Sequence, residues 1–110
     1  LVEQGRVWAS AGDLETAIQC FRQVLDRHTE DGPFVLSALM LADALLTKAN
    51  RVDESLRMYQ TTWGRCKKPE TNAYYRAGSN WFQIGTMYSA RLRVAGDETE
   101  AQRVLDTLRR

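Results

Sequence analysis

The chain has 110 residues, 44% of them hydrophobic and 26% charged, with a net charge of +1 at pH 7. That length suits one domain, able to bury roughly two thirds of its unfolded surface without disulfides or metals. The near-neutral balance makes neither nucleic acid nor an acidic surface a default partner, and no run of about 18 apolar residues provides a membrane span. Two prolines, abundant Ala, Leu, Glu, Gln and Arg, and no alternating Val/Ile/Thr run predict an all-α fold.

The first predicted helix, "LVEQGRVWASAG", carries Leu1, Gly5, Trp8 and Ala9 on one stripe and ends at Gly12. Asp13 N-caps the second, "LETAIQCFRQVLDRH", whose Ala17, Ile18, Phe21, Val24 and Leu25 form one apolar face. "TEDGP" closes it, with His28 at its end, where the helix dipole favours a cation. A third helix begins at Pro33 and is apolar on nearly all sides through Leu46, which predicts the most buried helix. Asn50 suits a left-handed cap, and Asp53 is the expected N-cap of helix four, which places Leu56, Tyr59 and Trp63 on one face. "KKPET" breaks that helix, because Pro69 disfavours helical geometry at Lys68. Helix five is expected from about Asn72 to Val94. Asp97 then caps a sixth, with Ala101, Val104, Leu105 and Leu108 on one face.

Charge is unevenly placed. Residues 1–55 hold five Lys/Arg against nine Asp/Glu and residues 56–110 ten against five, so the halves carry −4 and +5. Such a split could favour head-to-tail contacts, but ordinary solvated helix faces account for it more simply. Cys20 and Cys66 are 46 positions apart, without metal-ligand spacing. They read as small half-buried hydrophobes in a reducing compartment, which points to the cytoplasm. The chain opens inside a helical pattern and is expected to be a segment of a longer one.

The turns repeat. "AGDLETAIQCF", "ANRVDESLRMY" and "AGDETEAQRVL" each place a small residue four positions before a large apolar one: Ala17 and Phe21, Ser55 and Tyr59, Ala101 and Leu105. Helix–turn–helix units recurring at steps of 38 and 46 residues predict hairpins packed in series. "WFQIGTMY" adds Trp81, Ile84, Gly85 and Tyr88 at the spacing W-x2-I-G-x2-Y, and "LVEQGRVW" matches it with Leu1, Gly5 and Trp8.

On these residues the chain resembles the tetratricopeptide repeat family. The resemblance implies a right-handed α-solenoid of three antiparallel hairpins, about six helices, over a single domain at 1–110 with repeats near 1–31, 33–68 and 71–110. It gives Gly5 and Gly85 a role as contact glycines at helix crossings, walled by Leu1 and Trp8 and by Trp81 and Tyr88. The middle unit departs from the pattern, with Asp43 in the small-residue place. The third has about four extra residues between Tyr88 and Ala101, which predicts a first helix one turn longer.

The resemblance further implies that the first helices line a concave, partner-binding face. Carried over position by position, that face comprises Val2, Arg6 and Ser10, then Met40, Ala44 and Lys48, then Phe82, Thr86 and Ser89. Arg6 and Lys48 suit a carboxylate; Met40 and Phe82 suit an apolar side chain. The Lys, Asn and Arg set with which the family clamps a C-terminal carboxylate is not reproduced. Two further readings remain open. One is a structural spacer or self-associating module whose exposed end faces mediate oligomerisation, since helix six keeps an apolar stripe through Leu108. The other is a single-strand nucleic-acid surface around "RCKKP", Tyr74, Tyr75, Arg76, Trp81 and Phe82, which repeat packing of Trp81 accounts for more simply; no nucleic acid is expected. No catalytic motif, metal set or cofactor motif is present, so no enzyme activity is expected.

Overall fold

The computed structural model describes residues 2–27, 33–66 and 79–109. Within them the chain forms six helices and no strand: α1 (Val2–Ser10), α2 (Leu14–Arg27), α3 (Pro33–Lys48), α4 (Val52–Arg65), α5 (Asn80–Val94) and α6 (Glu98–Arg109). The "KKPET" break, Leu1 and His28 lie outside the described residues; helix five, expected from about Asn72, begins at Asn80, because Ser79 is extended at φ −80 and ψ 158°. Ser79 caps α5, its Oγ accepting from the Phe82 N–H at 3.2 Å.

Three helix pairs are joined by the same turn. Gly12, Asn50 and Gly96 occupy the left-handed region, at φ 84, 60 and 88°. In each turn that residue's N–H reaches the carbonyl three back, and the next N–H reaches the carbonyl five back. Gly12 thus bonds to Ala9 and Asp13 to Trp8; Asn50 bonds to Thr47 and Arg51 to Leu46; Gly96 bonds to Arg93 and Asp97 to Leu92. Paired bonds of this kind satisfy the last carbonyls of one helix and set the exit angle into the next. Asp13 and Asp97 then cap α2 and α6 through bonds of 3.1 Å to the N–H groups of Thr16 and Glu100. The middle turn differs. The N-cap of α4 is Arg51, not Asp53, and it makes no side-chain cap bond; Asp53 is an exposed residue of the first turn. The chain reaches helical geometry two residues earlier than Asp53 because the turn length is the same in all three hairpins.

Each hairpin packs on the next. Besides the pairs α1–α2, α3–α4 and α5–α6, α2 lies on α3 and α4 on α5, while α1 also touches α3 and α3 touches α5. Ala17, Ser55 and Ala101, five positions past the left-handed residue, are all at 0% exposure. A larger side chain there would hold the paired helices apart. α3 is the most apolar helix, but its burial is one-sided: Leu39, Ala42 and Leu46 are buried, whereas Phe34 and Met40 face solvent.

Both contact glycines sit in close crossings. A Cβ on Gly5 would fall within 2.7 Å of the buried Phe21 ring. A Cβ on Gly85 would lie 2.7 Å from Leu108 Cδ2 and 2.8 Å from the Trp63 ring, which stacks on Trp81 with centroids 5.4 Å apart. The helix propensity lost at each glycine, about 1 kcal/mol, is offset by contacts that any side chain would prevent. The expected walls hold only in part. Trp81 and Tyr88 are buried, but Trp8 is 44% exposed. The extra turn expected of helix five is not present: α5 has 15 residues and α3 16, and Gly85 instead stands four positions further from its turn, eleven before Gly96 where Gly5 is seven before Gly12.

Candidate functional site

Side chains four apart on a helix share a face. Val2, Arg6 and Ser10 do so on α1, Leu36, Met40, Ala44 and Lys48 on α3, and Phe82, Thr86, Ala90 and Val94 on α5. All are exposed or half-buried, which makes them the outward stripes of the three first helices. Ser89 does not belong among them. It is buried, and its Oγ donates to the Thr86 carbonyl at 2.8 Å. Counted back from the left-handed turn residue, Ser89 takes the place of Gly5 and Asp43, inside the packing. A four-residue step from Thr86 reaches Ala90 and then Val94, which is 72% exposed. Leu36, Ala90 and Val94 were missed in the sequence, although the same step finds all three.

Two of the stripes flank a cleft. Arg6, Ala9 and Ser10 of α1 form one wall and Leu41, Ala44 and Leu45 of α3 the other, with Phe21 of α2 also lining a volume of about 430 Å3. Gly5 is what lets Phe21 come so near to α1. Of the nine residues expected on the partner-binding face, Arg6, Ser10 and Ala44 are brought together here. Met40 and Lys48 are exposed one turn to either side of Ala44 on α3. Phe82 and Thr86 stand on α5, where the Thr86 hydroxyl is already bonded to the Phe82 carbonyl at 2.8 Å. The Arg6 guanidinium lies 3.5 Å from Glu3, both well exposed. Such a pair is worth little in water, so Arg6 remains a usable charge on a cleft whose other walls, Ser10 apart, are apolar.

A polar cluster lies between hairpins two and three. Asp43 is buried, yet its carboxylate accepts from Ser55 Oγ at 2.5 Å, Arg91 Nη2 at 2.7 Å and Thr47 Oγ1 at 3.3 Å. Burial pushes the Asp43 carboxyl up, but the bonds from Arg91 and Ser55, with the Tyr59 hydroxyl facing it, outweigh burial and hold the group below the usual range. The bond to Asp43 raises the Arg91 guanidinium, and burial with the facing carboxylate raises the Tyr59 hydroxyl. Every strong donor is aimed at one carboxylate. The cluster ties three helices in one register and leaves no group poised to exchange a proton near neutral pH.

On the second-helix side a smaller cleft of about 200 Å3 separates α2 from α4, with Arg22, Asp26, Glu54, Arg57 and Arg65 among its walls. Its two acids are engaged: Asp26 with Arg65 at 3.2 Å, and Glu54 with Arg51, which also bridges to Glu15 of hairpin one. Cys20 and Cys66 are both half-buried and form no disulfide. Among the described residues, no group of three His, Cys, Asp or Glu stands where it could hold a metal ion, and no helix is long and apolar enough to cross a membrane. Comparison of the chain with family models, with curated proteins and with solved structures gives no match.

Proposed function

We propose that this chain is a tetratricopeptide-like interaction scaffold, its hairpins stacked as a short right-handed α-solenoid, that binds a peptide or a helix of another protein along its first helices. The cleft between α1 and α3 carries this reading. Its apolar lining of Phe21, Leu41 and Leu45, with Arg6 at the mouth, suits a segment that inserts one apolar side chain and sets an acidic group against Arg6. Lys48 extends the basic edge, Met40 the apolar one. The reading needs no cofactor and no catalytic step, and the cytoplasm is the setting that half-buried cysteines without a disulfide suit.

A peptide library displayed on phage and selected on the purified chain supplies the probe, and variants of the cleft supply the test. Ala44 is exposed, so Ala44→Trp fills the cleft without touching the core. It should lower the affinity of selected peptides at least tenfold, and Arg6→Glu should do the same for the acidic ones. Unchanged binding by both variants would sink the cleft as the binding site.

A further inference from the structure

The two ends of the hairpin series are unlike, and counting from the left-handed turn residue makes the difference explicit. Four, five and eight positions before it stand Leu46, Leu45 and Ala42 in α3, and Leu92, Arg91 and Tyr88 in α5. All six are buried or half-buried. The preceding hairpin lies against the middle one of each set: Leu45 shares a cleft with Ala9 and Phe21 of hairpin one, and Arg91 reaches Asp43 of hairpin two. The same positions in α1 are Trp8, Val7 and Gln4. All three are exposed, Val7 at 66%.

The opposite end lacks such a face. Two, six and thirteen positions after the left-handed residue stand Leu14, Ile18 and Leu25 in α2, and Val52, Leu56 and Trp63 in α4. These six are buried or half-buried, and Trp63 lies directly on Trp81 of the next hairpin. In α6 the positions hold Glu98, Gln102 and Arg109, all exposed. The apolar stripe through Leu108 turns inward, onto Gly85, and does not extend to this outer face.

We propose that the outer face of α1 is a docking surface for a helical hairpin of the kind this chain already contains, whose second helix presents large apolar side chains spaced four and seven apart and covers Val7 and Trp8. The α1 face continues the series of two interfaces inside the molecule, each closed by such a helix. Its chemistry selects the occupant further. Where α5 uses Arg91 to answer Asp43, α1 has Val7, so the docked hairpin offers a small or apolar residue at the place of Asp43, as Gly5 does to α3. A second copy stacked head to tail would present Glu98, Gln102 and Arg109 instead, and would set charge and amide groups against Val7 and Trp8 without partners. The proposal rests on the repeated hairpin geometry and not on occupancy of the α1–α3 cleft, so either can fail alone.

The test fuses one hairpin ahead of Leu1 of the full chain, using residues 28–32, which connect α2 to α3, as the linker. One fusion carries residues 33–66 with Asp43→Gly, so that Val7 meets a small residue, and with Val52, Leu56 and Trp63; the other carries residues 79–109, with Glu98, Gln102 and Arg109. Acrylamide quenching of Trp8 is read as the difference from the matching Trp8→Phe protein. The 33–66 fusion should cut that quenching severalfold and raise Tm by on the order of 5 °C, and Val7→Glu, at an exposed position, should abolish both gains. The 79–109 fusion should change neither. Equal protection by both fusions, or by neither, overturns the proposal. So does protection of Trp8 in the unfused chain as its concentration and mass rise together, which would make a second copy the occupant.

Discussion

Hairpins one and two solve the same packing problem with opposite chemistry. Seven positions before the turn, hairpin one has Gly5 beneath Phe21, with Ala17 beside it at no exposure. Hairpin two has Asp43 at that place, facing Ser55 and Tyr59 where hairpin one has Ala17 and Phe21. Removing the side chain gives a dry, close crossing that any added atom disrupts. Keeping a carboxylate requires a complete set of donors, and one of them, Arg91, comes from the next hairpin. The apolar solution stabilises one hairpin by itself; the polar one joins two. Hairpin three uses both ideas, with Ser89 at the aligned position and Gly85 a turn further from its turn.

The largest break in this comparison comes from filling a glycine. Gly85→Leu should destabilise by about 3 kcal/mol or more in urea denaturation, since even its first carbon meets Leu108 and a Trp63 ring held by stacking. Gly85→Ala regains about 1 kcal/mol of helix propensity and should lose only ~1–2 kcal/mol net. Gly5→Leu should match Gly85→Leu, because Phe21 is as tightly held. A near-neutral result at either glycine would show that the helices do not cross closely there.

Asp43→Ala is the next effect down. It leaves Arg91 and Ser55 without their acceptor, which for a fully buried pair costs about 3–5 kcal/mol. The Arg91 side chain keeps 28% of its surface in water, so about 2 kcal/mol is the expected loss. Because the partners lie in different hairpins, a cycle with Arg91→Leu should show a coupling of about 1 kcal/mol or more. Additive losses would mean that the cluster does not join the hairpins. Acid sharpens the same point. A carboxyl held lower in the folded chain adds stability above its unfolded value, about 3.9, and loses it as pH falls through the folded value. Melting temperature should therefore fall below pH 4 more steeply in the native chain than in Asp43→Asn, with the two curves parallel above pH 5.

Much of this was legible in the sequence because the signals are local. Gly12 and Gly96 follow the last apolar residue of a helix and precede a capping Asp, and Gly85 sits between Trp81 and Tyr88 at helical spacing. The all-α class and the turns after α1, α3 and α5 follow from such patterns, whereas the starts expected for helices four and five do not match. Arg91 was not legible as the partner of Asp43, because 48 residues separate them and nothing near Arg91 sets it apart from its neighbour Arg93. Ser89 was misplaced by one position, enough to move a helical side chain from the outer stripe to the packed face. The polar outer face of α6 was hidden by Leu108, whose apolar stripe belongs to the inner contact with Gly85. Helix propensity and periodicity find a face; which neighbour covers that face emerges only when the hairpins are laid in register.

The smallest effect compares the turns themselves. Asp13 and Asp97 each satisfy an N–H that opens a helix, and replacing either with Ala should cost about 1 kcal/mol. Arg51 holds the matching place with no cap bond and instead pairs with Glu54 and with Glu15 of hairpin one. Arg51→Ser would supply the missing cap, a gain of about 1 kcal/mol, and would remove pairs that open to water, whose loss offsets much of that gain. The net change should lie within about 0.5 kcal/mol of zero, and added salt should move the native chain towards the variant as those pairs are screened. Asp at the same place should do worse than Ser, because its charge would sit beside Glu15 and Glu54. If Arg51→Ser instead costs as much as Asp97→Ala, the bridge between hairpins one and two holds that turn more firmly than a cap does, and the middle hairpin is joined by charge on both of its sides.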